Sequence, residues 1–130
     1  MKLMLSILLL IAFGSIEAAE LPSSVLDLSS WKLTLPEDTS HPGNPDERFG
    51  QDLLRFRDPR FFCMIPNTRA VSFRAPCGGA TTRGSKYPRC ELREMKPGGR
   101  NEASWDTADG KRHTLVASLA ILEMPAVKKH

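Results

Sequence analysis

Four things are scarce or missing in this chain of 130 residues, and each removes a class of protein. No apolar run reaches the about 20 residues that a membrane-spanning helix needs, so no bilayer anchor is expected. No block of five like charges occurs, and the net charge is only +3. That argues against a nucleic-acid-binding arm, although mild basicity suits an acidic polymer held in a groove. The three cysteines, Cys63, Cys77 and Cys90, include no C-x-x-C pair, and no H-x-x-x-H lies near them. The spacing therefore gives poor grounds for zinc. Internal repeats and low-complexity tracts are also absent.

What is present begins with MKLMLSILLLIAFG. Lys2 precedes an apolar run from Leu3 to Phe13, and small residues follow. This is the pattern of a secretory signal peptide, which we place at residues 1–19. The remainder, 20–130, is expected to be secreted and to be at most one domain, with a single small core. In an oxidising compartment, three cysteines predict one disulfide and one thiol left over. Either Cys77–Cys90 or Cys63–Cys77 would serve.

Along the mature chain the dominant period is two. In WKLTLP, Trp31, Leu33 and Leu35 alternate with Lys32 and Thr34 and predict a strand closed by Pro36. The polar, proline- and glycine-rich EDTSHPGNPDERFG reads as loop. QDLLRFRDPRFFCMIPNT is mixed, and Pro59 and Pro66 argue against a long helix. AVSFRAP and RCELREM predict strands separated by the turn-rich CGGATTRGSKYP. PGGRNEAS is a loop, and HTLVASLAILEMP predicts a last strand closed by Pro125. Short strands at turn-separated intervals suggest an antiparallel sandwich.

The stretch YPRCELREM carries the most chemistry. In a strand, alternate residues share a face at steps of about 7 Å. Arg89, Glu91 and Arg93 then lie on one side, while Cys90, Leu92 and Glu94 lie on the other, with Cys90 and Leu92 available to the core. Two planar guanidiniums held by a carboxylate make a surface suited to a sugar acid. A retaining glycosidase would need two carboxylates about 5–5.5 Å apart, and Glu91 and Glu94 fall on opposite faces. By alternation alone, a solvated charged face is the commoner outcome, since cross-strand ion pairs contribute only about 0.2–1 kcal/mol.

The residues FRAPCGGATTRGSKYPRCELREM resemble the N-terminal signature of the alginate lyases of polysaccharide lyase family 7. That signature is an R-[ST]-E-L-R strand behind a turn rich in Gly, Thr and Ser. WKLTLP, Trp105 and the HTL strand at 113–115 resemble the same family in order and spacing, so the likeness runs from Leu28 to Pro125. Cys90 stands where the family usually has Ser or Thr. The resemblance implies an all-β fold, an antiparallel β-jelly roll (a concanavalin-like sandwich), incomplete in this chain. It implies cleavage of alginate, a polymer of mannuronate and guluronate, by β-elimination with no cofactor. Carried over residue by residue, Arg89 is the catalytic group that neutralises the substrate carboxylate, Arg93 binds substrate, and Glu91 binds substrate or orients the arginines.

The family's base and acid come from a Gln-x-His strand and a tyrosine-containing strand. Gln51 and Tyr87, the single Gln and Tyr of this chain, match neither, and His113 matches a non-catalytic position. The chain is therefore expected to be the first part of such a lyase and inactive by itself. The alternative is a non-catalytic β-sandwich module that binds acidic glycans. A glucanase-like jelly roll is disfavoured by the missing carboxylate pair.

Overall fold

A computed structural model describes residues 19–126. The leader expected over residues 1–19 lies outside the described residues except for its last position. Five short strands occur: β1 (Trp31–Thr34), β2 (Glu47–Phe49), β3 (Phe62–Met64), β4 (Val71–Phe73) and β5 (Glu91–Glu94). One five-residue helix, α1 (Gly50–Leu54), and a 3-10 turn at Pro22–Ser24 complete the regular structure. The strands form two antiparallel sheets, ordered β2-β1-β5 and β3-β4.

β1 is central because its period-two pattern gives it two distinct faces. Leu33 and Leu35 are fully buried on one of them, and Leu33 lies opposite Leu92 of β5. They join Leu28, Leu53 and Phe62 in a single cluster, with Cys90 and Leu92 packed against it. Phe62 comes from the second sheet, so the two sheets share this core as the layers of a sandwich. Phe62 also packs edge-on to Phe73 at 5.1 Å and parallel to Phe56 at 6.4 Å between ring centres. Each such buried side chain contributes about 1.5–3 kcal/mol.

The turn between β4 and β5 is clasped to the end of β1. Ala80 N–H donates to the Pro36 carbonyl at 2.9 Å. Gly79 permits the approach: a Cβ there would lie 2.6 Å from that same oxygen and 3.1 Å from Pro88 Cβ. Pro88 leads directly into the arginine strand, so this contact sets where β5 begins.

Three expectations are corrected. First, β2 arises within a segment expected to be loop. Its three residues pair with Lys32, Leu33 and Thr34, so the free edge of β1 overrides the local loop composition. Secondly, no strand forms over residues 113–125. Residues 110–126 belong to no helix or strand, and Leu115, Val116, Leu119, Ile121, Leu122 and Met124 are 72–87% exposed. A segment apolar on both faces needs neighbours on both edges and cover on both sides, and the described residues supply neither.

Thirdly, the three cysteines are free thiols rather than including a disulfide. Cys77 is exposed in the turn, whereas Cys90 is turned inward and its thiol donates to the Phe61 carbonyl at 3.3 Å. Burial pushes the Cys90 thiol up to about 11, outweighing the backbone hydrogen bond from Arg74 that acts the other way. No helix among the described residues is long and apolar enough to cross a membrane.

Candidate functional site

The face of the three-stranded sheet opposite the core is built by register. Lys32 of β1 lies between Arg93 of β5 and Phe49 of β2, and Thr34 lies between Glu91 and Glu47. Alternation then sends Arg93, Glu91, Lys32, Glu47 and Phe49 to the same side. Arg89 precedes β5 in irregular backbone, yet its guanidinium reaches Glu91 Oε1 at 3.5 Å. Arg93 donates to that same oxygen at 3.1 Å. The structure therefore brings together the three residues singled out from the sequence, and a single carboxylate oxygen holds both guanidiniums.

Three further residues extend the row. Glu102 accepts from Arg93 at 3.2 Å with one oxygen and from Lys32 at 2.8 Å with the other. Lys32 also pairs with Glu47 at 2.7 Å. The order Arg89–Glu91–Arg93–Glu102–Lys32–Glu47 alternates in sign along its whole length and sums to zero. Lys32 is visible in the sequence as the polar member of WKLTLP. Glu47 and Glu102 sit in segments that read as loops, and only the pairing reveals them.

Glu102 reaches its place through a tight chain reversal. Lys96 N–H donates to the Asn101 carbonyl and Ala103 N–H to the Glu94 carbonyl, each at 2.8 Å. Gly98 and Gly99 take positive φ of 92° and 69°, a region glycine enters without steric cost. The PGGRNE loop thus returns Glu102 to the side of Arg93 in the strand before it.

The electrostatics follow these contacts. Burial would lower the Lys32 ammonium, but its hydrogen bonds and charge interactions with Glu102 and Glu47 prevail and raise it. The hydrogen bond from Lys32 holds the Glu102 carboxyl low, with Arg93 adding to the effect. Arg93 is raised, chiefly by its hydrogen bond to Glu91. The guanidiniums remain open to solvent, 39% exposed at Arg89 and 44% at Arg93.

His113 is engaged elsewhere. Its Nε2 lies 2.8 Å from Asp109 Oδ2 and its ring lies 4.1 Å from that of Trp105; neither partner belongs to the row. Tyr87 is 77% exposed in the turn ahead of Arg89. Among the described residues no three His, Cys, Asp or Glu side chains gather as a metal site would require.

An all-β sandwich with an Arg-Glu-Arg row on an open sheet face defines a protein of the jelly-roll class. The family model described as "Alginate lyase" matches residues 26–130, and the chain belongs to that alginate lyase family. An alginate lyase from Klebsiella pneumoniae is 33% identical over 94 residues, covering 71% of this chain and 30% of that protein. The solved alginate lyase AlgAT5 of polysaccharide lyase family 7 is 45% identical with a TM-score of 0.60, covering 67% of this chain and 38% of that one. The solved alginate lyase from Corynebacterium sp. is 44% identical with a TM-score of 0.59, covering 68% and 39%. The fold is accordingly that of the jelly-roll lyases, and the chain spans about a third of the length of these relatives.

Proposed function

We propose that this chain supplies the carboxylate-binding part of a secreted alginate lyase, acting on a 1,4-linked uronate polymer by β-elimination. The observation that carries this reading is that Arg89 and Arg93 share one solvent-open sheet face and are held by one oxygen of Glu91. In the elimination, the proton on C5 is removed, a C4–C5 double bond forms, and the C4–O4 bond breaks as O4 takes up a proton. The C5 proton is acidic only if the adjacent carboxylate is neutralised, because the intermediate otherwise carries two negative charges.

Arg89 is assigned that neutralisation. Its guanidinium is half-exposed and only loosely tied to Glu91, so it is free to turn to a substrate carboxylate. Arg93, fastened on both sides, is assigned the binding of a neighbouring sugar, and Glu91 the orientation of both arginines. Arginine does not deprotonate in proteins, so none of the row acts as the base. We assign the base and the acid to none of the described residues.

The test is affinity electrophoresis of the full chain in gels containing alginate. Retardation should be present at low salt, decline as salt rises, and weaken on Arg89→Ala. Equal retardation of the variant overturns the assignment of Arg89. Release of unsaturated uronate by the purified chain would show that the base and acid lie within it after all. In a lyase that carries the base and acid, losing one such charge donor slows turnover by about 10²–10³-fold.

A further inference from the structure

A groove of about 580 Å³ opens at the free edge of β2, within the usual range of ligand sites. One wall is the loop 37–46, the other is the turn at Thr82 and Arg83, and Arg48 and Phe49 lie between them. From this groove we infer a second station for an acidic sugar, one that grips a carboxylate through Arg48 and Arg83 and seats a sugar ring on Phe49. The inference rests on the proposed reading of the ligand as an acidic polysaccharide.

The wall is built, not incidental. Asp46 is 3% exposed and organises the loop from within. Its carboxylate accepts from Thr39 Oγ1 at 2.6 Å and from Ser40 N–H at 2.9 Å. Its backbone donates to the Glu37 carbonyl at 2.7 Å and accepts from Leu35 N–H at 2.9 Å. Asn44 N–H closes the tip on the His41 carbonyl at 2.9 Å. A loop tied this way presents His41 to the groove at little further ordering cost.

The charges in the groove are unequally engaged. Both lining carboxylates are spent: Asp46 on the loop, and Glu47 on Lys32 at 2.7 Å. Among the described residues, neither Arg48 nor Arg83 takes part in an ion pair. Arg48 donates to the Glu47 carbonyl at 3.0 Å and lies over the Phe56 ring at 5.3 Å, which fixes its stem; its charge helps to hold the Asp46 carboxyl low without forming an ion pair. The lining charges, Asp46 and Glu47 against Arg48 and Arg83, cancel as those of the Arg-Glu-Arg row do, but among the described residues neither arginine of the groove is tied to a carboxylate by an ion pair, so both can turn to a ligand.

The groove also continues that row. Arg93, Lys32 and Phe49 are successive register partners across β5, β1 and β2, at strand steps of about 4.8 Å. Phe49 is 55% exposed and offers an apolar surface to the C–H face of a pyranose. A polymer crossing the sheet from the arginine strand would run over Phe49 into the groove.

The test is hydrogen–deuterium exchange of the full chain with a mannuronate–guluronate tetramer, resolved by peptide, in the parent, Arg89→Ala and Arg83→Ala proteins. The amides of Ser40, Gly43 and Asn44 report the loop. Protection of residues 39–49 and 80–85 is expected in the parent, is expected to persist in Arg89→Ala, and should weaken in Arg83→Ala with about a threefold loss of tetramer affinity. Arg83 is exposed and makes no described side-chain contact, so its variant should keep the fold. Protection confined to residues 89–95 overturns the groove and leaves the proposed function standing. No protection anywhere overturns both. Equal protection by a tetramer whose carboxylates have been reduced to alcohols overturns the ionic basis of the site.

Discussion

Glu91 and Glu102 show how much one residue can settle. Each bridges two cations, and between them they fix the direction of Arg93. Removing one bridge, as in Glu102→Gln, costs only about 0.5 kcal/mol of stability, because Glu102 and Arg93 are solvent-exposed and Lys32 keeps its pair with Glu47. Its effect should appear instead as a lower Lys32 ammonium pKa, which side-chain NMR of that lysine would detect. Cys90 makes a different kind of statement at the same scale. Its thiol is raised to about 11 by burial, and reactivity follows the thiolate. At pH 8, alkylation followed by mass spectrometry should label exposed Cys77 first and leave Cys90 largely unmodified until the chain unfolds. The unfolded thiol ionises near 9.0, so the unfolded chain releases this proton first. Cys90 therefore favours the fold fully below that pH, and its contribution drains away as pH rises toward 11.

At the scale of elements, the clasp between the β4–β5 turn and Pro36 decides the position of the arginine strand. A methyl group at Gly79 would collide with backbone and with two proline rings. Gly79→Ala is therefore expected to cost about 1–3 kcal/mol, read as a lower denaturant midpoint with unchanged slope. How far elements were legible in the sequence follows from what each depends on. β1 and β5 declare themselves, because Trp31–Leu35 and Arg89–Arg93 alternate cleanly and the residues they turn to the core, Leu33, Leu35, Cys90 and Leu92, are apolar. The arginine row was readable for the same reason: alternation alone puts Arg89, Glu91 and Arg93 together. β2 was not readable, since DERF lies between Pro45 and Gly50 and owes its strand conformation to the edge of β1. The acids Glu47 and Glu102 were hidden with it, because they reach Lys32 only through cross-strand register and a glycine reversal. The segment over 113–125 shows the converse. Its apolar composition reads as strand, but composition does not provide a neighbour to pair with.

For the whole molecule, the described residues combine a small shared core with a long exposed apolar stretch. Leu119 is 81% exposed and Ile121 72%, and an unpaired segment of this kind invites association between chains. The purified chain should show concentration-dependent association by light scattering, and Leu119→Lys with Ile121→Lys should reduce it. Unchanged association would place the sticky surface elsewhere. The charge distribution has its own consequence. Because the Arg-Glu-Arg row and its extension cancel to zero, the row exerts little pull beyond the Debye length of about 8–10 Å. A polyanion approaching from solution is therefore drawn little by the row itself. In the proposed function, each sugar carboxylate in contact with the row would take a guanidinium from a resident glutamate. Binding along that strand is then an exchange of one carboxylate for another, which lets a chain of repeating acids shift from one arginine to the next without ever leaving a cation bare.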